Sequence, residues 1–312
     1  MVTMAREKVQ SVRTIGQERR SSTWLQQAVM NGLFLVVSLS IFMPFLLLVV
    51  ASVSDEASIV NNGYQFLPDK FSFEAYRIIF ESPVVLLRAY GITALVTLGG
   101  TAVSLLLTGL SAYVISRRDF ELRSAATFYI FFTMLFSGGL VPFYILMTQY
   151  LHLKDSLLAM IIPGLLSPFY IMVMKGFMQK IPFEMIESAK VDGAGEWRIY
   201  FRMVLPLSLP ALATLGLMIS FNYWNEWFNA LLFIDNQRLV PLQLLLVRMI
   251  NTIEYLSSNN EFVGRLSIQT AELPQYSVRM AMAILAAGPM LCIFPFFQKY
   301  FVAGLTVGSL KG

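Results

Sequence analysis

The sequence is poor in the residues that most enzyme and metal sites require. It contains one cysteine, Cys292, and one histidine, His152, among 312 residues. An internal disulfide is therefore excluded, and so is a metal site built from several histidines or cysteines. Charged residues make up 13% of the chain, about half of the usual share in globular proteins. The chain also lacks a G-x-x-x-x-G-K-[ST] phosphate loop, so we expect no ATPase site of that type in it.

Apolar residues dominate what the sequence does contain. They make up 56% of the chain, 25 residues are phenylalanine, and the mean hydropathy is +0.64. A water-soluble fold could not bury that much apolar surface, so the sequence predicts an all-α membrane protein. A bilayer core of roughly 30 Å requires about 20 apolar residues per helix. Six stretches of that length predict six transmembrane helices at about 29–52, 88–116, 125–149, 154–177, 208–233 and 277–302.

The distribution of lysine and arginine predicts the direction of these spans, because cytoplasmic loops carry an excess of both. With the N-terminus inside, the inner segments hold 15 of these residues and the outer segments hold 6. Both termini are therefore expected to be cytoplasmic, and the net charge of +4 is explained by topology rather than by nucleic-acid binding. The predicted organisation is a basic N-terminal arm at 1–28, a six-helix domain at 29–302 and a C-terminal tail at 303–312.

Some features interrupt or extend the predicted spans. Ser137-Gly138-Gly139 followed by Pro142 is expected to break or kink the third span, either as a gate or to accommodate packing. The outer segments 53–84 and 236–276 are long. They form either a docking surface for an external partner or a cap on the helix bundle, and the sequence leaves both interpretations open.

Residues 181–206, IPFEMIESAKVDGAGEWRIYFRMVLP, form the most informative inner segment. Pro182 can begin a helix, and Gly193, directly after Asp192, can adopt the left-handed conformation that ends one. A second short helix follows, with a predicted apolar face formed by Trp197, Phe201 and Val204. The segment is therefore predicted to be an amphipathic helix–turn–helix that seats in a groove of another protein. A helix lying on the membrane surface is the alternative.

This segment resembles the EAA signature of permeases of binding-protein-dependent ABC importers. That pattern has Glu-Ala-Ala, then Asp-Gly-Ala two residues later and Leu-Pro downstream; here ESAKVDGAG precedes Leu205-Pro206, with serine replacing the first of the two alanines. The ending FFQKYFVAGLTVGSLKG and the run YWNEW resemble the carbohydrate-uptake branch of type I importers, so the resemblance covers nearly the whole chain. The positions that match the coupling motif are Glu187, Ser188, Ala189, Asp192, Gly193, Ala194 and Pro206.

The resemblance implies a type I ABC importer permease fold and several partners. Two permeases pair, here as an expected heterodimer, and each docks its loop on one subunit of a cytoplasmic ATPase dimer. An extracellular solute-binding protein or lipoprotein delivers the sugar. ATP and Mg²⁺ are bound by the ATPase, so this chain is expected to be no enzyme and to hold no cofactor or metal. The stretch FTMLFSGGLVPFY resembles permeases linked to complex plant or algal polysaccharides, which implies oligosaccharide import across a bacterial cytoplasmic membrane.

Amides, a carboxylate and aromatic rings cluster in the fifth predicted span. Asn222, Asn225, Glu226 and Asn229 are spaced to share one face of a helix, and such groups in a membrane normally face the bundle interior or a wet cavity. One interpretation is a sugar-contacting surface, since flat aromatic rings suit the apolar faces of sugars. The other is an interfacial aromatic belt with amides bonding between helices. The candidate pathway residues are Asn222, Tyr223, Trp224, Asn225, Glu226, Trp227 and Asn229.

An ion-coupled secondary sugar carrier is the alternative function. Such carriers use ionisable groups near the midplane of the membrane and usually show internal repeats. Here the spans are nearly free of charge, Glu226 is the main exception, and no repeat of halves is apparent. A membrane-embedded enzyme would need a nucleophile with its base or a metal site, and a channel would need a filter sequence. The sequence contains none of these.

Overall fold

A computed structural model describes residues 2–258 and 274–309, with the side chains of residues 24, 26–255 and 274–296. Within these residues the fold is helical, as predicted, and the β structure is limited to a single bridge between Ser54 and Phe71. Residues 259–273 of the second long outer segment and residues 310–312 of the predicted tail lie outside the described residues. The helices are α1 (Val2–Ser52), α2 (Glu56–Asn62), α3 (Glu74–Ile79), α4 (Pro83–Ser116), α5 (Arg123–Leu135), α6 (Leu140–Ile145), α7 (Leu158–Ile161), α8 (Pro168–Met178), α9 (Phe183–Val191), α10 (Glu196–Ile199), α11 (Leu205–Leu207), α12 (Leu209–Trp224), α13 (Phe228–Phe233), α14 (Leu242–Ser258) and α15 (Tyr276–Ser309).

Three of these helices are long and apolar enough to cross a membrane. They contain the segments Gln26–Ser52, Pro83–Ser116 and Tyr276–Phe296. Further candidate spans are obtained only if each bent pair of helices is counted as one span. The pairs are Arg123–Leu135 with Leu140–Tyr150, Leu158–Gly164 with Pro168–Met178, and Glu196–Leu207 with Leu209–Trp224. Residues 2–258 and 274–309 thus hold three continuous candidate spans, or up to six with the bent pairs.

The third predicted span, 125–149, is broken. Its two arms meet at an angle of 109° around residues 136–139. Gly139 has a φ of +88° there, in a region that glycine adopts without steric cost, and its N–H donates a hydrogen bond to the Ser137 hydroxyl. The prediction that Ser137-Gly138-Gly139 with Pro142 interrupts this span is confirmed.

The prediction of one continuous span at 208–233 is wrong. Helix α12 ends at Trp224 and α13 begins only at Phe228. Between them, a Glu226 carboxylate oxygen accepts a hydrogen bond from the backbone N–H of Asn229 at 2.8 Å. That bond satisfies one of the free N–H groups at the start of α13. No glycine or proline marks this break, which falls at Asn225, Glu226 and Trp227.

One compact unit of the chain comprises residues 2–78 and 274–281. Within this unit, Glu56 links the two parts of the chain by hydrogen bonds. Its carboxylate accepts them from the backbone N–H groups of Gln275, Tyr276 and Ser277 at 2.7, 2.8 and 3.0 Å. The Ser277 hydroxyl donates a further bond at 2.7 Å. A carboxylate at this position satisfies free N–H groups at the start of α15 and complements the helix dipole.

The other unit comprises residues 79–273 and 282–312, and within its described part α4 packs along α8 and α12. Small residues allow this close approach. Gly100 of α4 lies directly against the Tyr223 ring, since a Cβ added there would come within 2.7 Å of the ring. Gly164 lies against the same side chain, 2.9 Å from the Tyr223 hydroxyl by the same measure. These contacts fix the end of α12, where the predicted pathway residues lie.

Candidate functional site: the coupling loop and a polar cavity

Residues 181–206, the segment predicted to couple to an ATPase and called the coupling loop below, contain a helix that ends in a tight turn. The N–H of Ala194 donates to the carbonyl of Ala189 at 2.9 Å, and the N–H of Gly193 donates to the carbonyl of Lys190 at 3.0 Å. This pair of bonds is a Schellman motif, which needs a left-handed residue at the position of Gly193. Gly193 has a φ of +77°. The predicted helix and turn are therefore present, and the left-handed backbone conformation explains why this position favours glycine.

The second half of the loop differs from the prediction. Helix α10 passes into a π-helical turn at Tyr200–Val204, which changes the register of the side chains that follow. Trp197 and Phe201 stack on each other, with ring centroids 5.9 Å apart, and both are exposed, whereas Val204 is buried. The predicted single face of Trp197, Phe201 and Val204 is therefore wrong. The two rings face outward and the valine faces the core.

Four charged side chains hold the loop against the end of α4. This ionic cluster consists of Arg117 and Asp119, which follow α4, and of Lys190 and Glu196 from the loop. Arg117 Nη1 lies 3.2 Å from Glu196 Oε2, and Lys190 Nζ lies 2.7 Å from Asp119 Oδ2 and 3.0 Å from Glu196 Oε1. The Tyr113 hydroxyl lies 2.6 Å from Glu196 Oε2 and accepts a bond from Arg117 at 2.7 Å. Because Arg117 is only 6% exposed, the cluster fixes the loop to a buried point.

The charges of the ionic cluster stabilise one another. Hydrogen bonds from Arg117, and then from Lys190, hold the pKa of Asp119 well below its ordinary value. Partial burial opposes ionisation of Glu196, but hydrogen bonds from Tyr113 and Lys190 outweigh it, and the pKa of Glu196 is also lowered. Hydrogen bonds to Asp119 are the main cause that raises the pKa of both Arg117 and Lys190. All four groups are therefore charged at neutral pH.

The residues of the coupling motif lie mainly on the exposed side of the loop. Apolar side chains accompany them there, and Val191 is 87% exposed. The loop thus presents both charges and apolar groups outward, while its other face is bonded to the body of the protein. The exposed motif residues are Glu187, Ser188, Asp192, Gly193 and Pro206, and Ala189 and Ala194 are half-buried.

The predicted pathway residues lie mostly around one open cavity of ≈ 540 Å³ beside the end of α12. We call it the polar cavity. Trp224 does not line it, because this ring is buried and its Nε1 donates a hydrogen bond to the Ala286 carbonyl at 2.8 Å. The pathway residues that do line the polar cavity are Asn222, Tyr223, Asn225, Glu226, Trp227 and Asn229, joined by Ser167, Phe169, Tyr170 and Phe228.

The polar residues line this cavity through a different backbone arrangement from the one predicted. They do not share one face of a continuous helix, because α12 ends at Trp224. The chain turns between α12 and α13, and Asn229 of α13 lines the same cavity as Asn222 of α12. Asn222 donates a hydrogen bond to the Tyr170 hydroxyl at 2.6 Å, and Asn225 accepts one from Gln243 at 3.1 Å. Hydrogen bonds from amide side chains to other elements are thus present, and so is a polar cavity.

A family model described as "Binding-protein-dependent transport system inner membrane component" matches residues 14–307. The chain belongs to this family. This inner membrane component is 36% identical over 281 residues to the polygalacturonan/rhamnogalacturonan transport system permease protein YtcP of Bacillus subtilis (strain 168), which covers 90% of this chain and 96% of that protein. It is 26% identical to the arabinooligosaccharides transport system permease protein AraQ of Halalkalibacterium halodurans, over 95% of this chain and 100% of that protein.

A solved structure also resembles this inner membrane component. It is a bacterial ABC transporter involved in the import of the acidic polysaccharide alginate. The match has a TM-score of 0.74 at 29% sequence identity and covers 88% of this chain and 96% of that chain. The fold is therefore that of a type I ABC importer permease. The family works with an ATPase and a solute-binding protein, and the inner membrane component is its transmembrane part.

Sequence reasoning missed several residues of both sites. Arg117 and Asp119 had a usable signal, because they place opposite charges directly after an apolar span. Tyr170 had none, since it lies 52 residues from its partner Asn222. Among residues 2–258 and 274–309, no group of three histidine, cysteine or acidic side chains is placed to hold a metal ion.

Proposed function

We propose that this chain is one permease subunit of an ATP-driven importer that brings a carbohydrate into a bacterial cell. It pairs with a second permease subunit in the cytoplasmic membrane and receives its substrate from an extracellular binding protein. A cytoplasmic ATPase dimer, which binds ATP and Mg²⁺, drives the cycle. The substrate class is an oligosaccharide from a complex polysaccharide. Support comes from relatives named for transport of polygalacturonan/rhamnogalacturonan and arabinooligosaccharides.

The observation that carries this proposal is the construction of the coupling loop. Its inner side is tied to Arg117 and Asp119, and its outer side exposes charged and apolar residues together. A force applied to the outer side is therefore passed to α4 through the ionic cluster and to α12 through the chain itself. Moving a two-state equilibrium from 1:99 to 99:1 requires about 5.5 kcal/mol of differential binding. Closure of the ATPase dimer on the docked loops is the proposed source of this free energy.

The polar cavity is the proposed contact site for the sugar on this subunit. Amide groups can exchange hydrogen bonds with sugar hydroxyls, and Trp227 and Phe228 are exposed beside them. No lysine or arginine is among its lining residues, and Glu226 is the one acid there. Neutral sugar surfaces therefore suit this cavity, and carboxylates of an acidic sugar would have to be matched by the partner subunit.

Site-specific photo-cross-linking tests the proposal. Cys292→Ser supplies a background without cysteine, and Ser188→Cys then places a maleimide–benzophenone probe on the exposed side of the loop. We expect the main adduct to contain the ATPase subunit. The same probe at Asn61→Cys, on the predicted outer side, should give no such adduct. Adducts of the loop with phospholipid alone would contradict the proposed function.

A further inference from the structure

A second cavity, lined by α5 and α8, has a different chemistry from the polar cavity. Its volume is ≈ 410 Å³, and we call it the basic cavity. Two cations line it and no acid does. Arg123 is the first residue of α5 and Lys175 lies in the last turn of α8, so both cations sit at the ends of their helices. Its other polar lining residues are Ser124, Thr127 and Gln179.

Neither cation of the basic cavity is neutralised by an acidic side chain among the residues that the structure describes. In the described part of the chain, neither Arg123 nor Lys175 forms a salt bridge, whereas the buried Arg117 contacts both Asp119 and Glu196. The Lys175 ammonium donates one hydrogen bond to the neutral Thr127 hydroxyl at 2.8 Å. That hydroxyl donates in turn to the Arg123 carbonyl at 2.6 Å. An ammonium has three donors, so Lys175 is held in position with capacity left for an anion.

The basic cavity changes from polar to apolar along α5. Ser124, Thr127, Phe128 and Phe131 are spaced by three or four residues and therefore lie on one face of the helix. Polar side chains occupy its first turns, and the two rings follow. Phe128 is 68% exposed and Phe131 is exposed as well. A positively charged end that continues into an exposed apolar surface matches a molecule with an anionic head and an apolar tail.

We propose that the basic cavity binds an anionic phospholipid, with its phosphate between Arg123 and Lys175 and its acyl chains along Phe128 and Phe131. Guanidinium and ammonium groups are the usual ligands of phosphate in proteins. Basic pockets between helices on the cytoplasmic side bind anionic head groups. The assignment rests on the proposed function in one respect, because the proposed orientation places both cations at the cytoplasmic leaflet. Free phosphate shares the head-group chemistry but has no apolar part that could pack against Phe128 and Phe131.

Native mass spectrometry of the detergent-solubilised complex, purified through this chain and stripped of lipid, tests the inference. The complex is titrated with phosphatidylglycerol and separately with phosphatidylcholine. We expect saturable retention of phosphatidylglycerol and weaker retention of phosphatidylcholine. In the variant with Arg123→Gln and Lys175→Gln, affinity for phosphatidylglycerol should fall by about 10- to 30-fold. A matched variant with Arg118→Gln and Lys180→Gln, two exposed cations outside the basic cavity, should bind like the wild type.

Several outcomes would overturn the inference. Equal retention of the two lipids by the wild type would do so, and so would unchanged phosphatidylglycerol binding by the Arg123/Lys175 variant. Displacement of the lipid by inorganic phosphate at millimolar concentration would assign the site to a free anion instead. If the variant fails to assemble, the wild type still gives the answer, because retention of phosphatidylglycerol must weaken as ammonium acetate concentration rises. ATP-driven uptake by the same complex reports separately on the proposed function.

Discussion

At the scale of single residues, the backbone of Gly193 determines the shape of the coupling loop. Its φ of +77° ends α9 and turns the chain toward α10. Nothing lies within 4 Å of a Cβ added to this glycine, so the added atom itself meets no clash. The obstacle is the backbone conformation, which costs a β-branched residue about 1–3 kcal/mol.

We therefore expect Gly193→Val to reduce ATP-driven uptake by about 5- to 150-fold, because the strain of about 1–3 kcal/mol favours a different loop conformation. Membrane insertion and the amount of protein should be unchanged. Gly195→Val is the matched control, because Gly195 has a φ of −72° and open space around it. Uptake by proteoliposomes measures both variants. Equal loss of uptake in the two would mean that the turn conformation is not what couples the loop.

A second residue-scale prediction concerns the polar cavity. Asn225→Ala or Trp227→Ala should lower the rate of sugar uptake, because each removes a group that lines the cavity. ATPase binding should not change, since neither residue belongs to the coupling loop. Asn61→Ala, outside the cavity and exposed, should transport normally. Wild-type uptake by both cavity variants would assign these residues a structural role as an interfacial belt.

The two sites differ in how well single residues could be predicted. Gly193 was predictable because its role depends on local sequence, an Asp-Gly pair after a short helix. The bond from Asn222 to Tyr170 was not predictable, because it joins residues 52 positions apart. The hydrogen-bond partner of Trp224 was not predictable either. Its ring is directed to the Ala286 carbonyl, and no spacing rule within one helix indicates a partner that far away.

At the scale of elements, the ionic cluster makes the coupling loop and α4 one mechanical unit. Arg117→Gln removes the buried member that contacts Asp119 and Glu196. Hydrogen bonds to charged groups are worth about 1.5–3 kcal/mol, so the local free energy of opening of the loop should fall by about that amount. Hydrogen exchange of the α9 and α10 amides measures it. Arg118→Gln, an exposed neighbour, is the control, and equal exchange in both variants would contradict a clamping role.

The same cluster predicts a pH dependence with a definite sign. The folded pKa values of Asp119 and Glu196 lie below their ordinary values of 3.8 and 4.5. Their stabilisation is therefore fully present above those ordinary values and is lost as pH falls through the lower folded values. Amide protection of the loop should stay constant from neutral pH down to about pH 5 and decrease below about pH 4. In Arg117→Gln the part of this decrease that comes from Asp119 should be smaller, because the hydrogen bond from Arg117 is the main cause of its lowered pKa. The part that comes from Glu196 should remain, because hydrogen bonds from Tyr113 and Lys190 lower that pKa.

A break within a predicted span was predictable only where the sequence contains residues that disfavour a helix, such as glycine. Ser137-Gly138-Gly139 is visible in the sequence, and the structure breaks there with Gly139 at a φ of +88°. At the break after Trp224, the Glu226 carboxylate accepts a hydrogen bond at the start of a new helix, and no glycine or proline marks the position. The π-helical turn at Tyr200–Val204 contains no glycine or proline itself, but Pro206 follows it and cannot donate a hydrogen bond to the Arg202 carbonyl.

At the scale of the whole molecule, hydropathy predicts that the chain is a membrane protein but not how each span is built. In the part of the chain that the structure describes, three segments are continuous helices of sufficient length, and others are bent pairs with angles of 49° to 109°. Apolar composition is the same for a straight span and a bent one, so a window of hydropathy cannot separate them. Orientation depends on a different signal, the bias of lysine and arginine.

That orientation gives the last prediction. In the Cys292→Ser background, a cysteine at Asn61 should react with a membrane-impermeant maleimide added to intact cells, and a cysteine at Arg118 should react only after permeabilisation. Both side chains are exposed in the structure, so reactivity reports the side of the membrane rather than burial. The expected result places Arg117, the coupling loop and the cations of the basic cavity on the side where the ATPase binds. The reverse labelling pattern would put the loop outside the cell, where no ATPase can dock, and the proposed coupling would have to be abandoned even though the fold would stand.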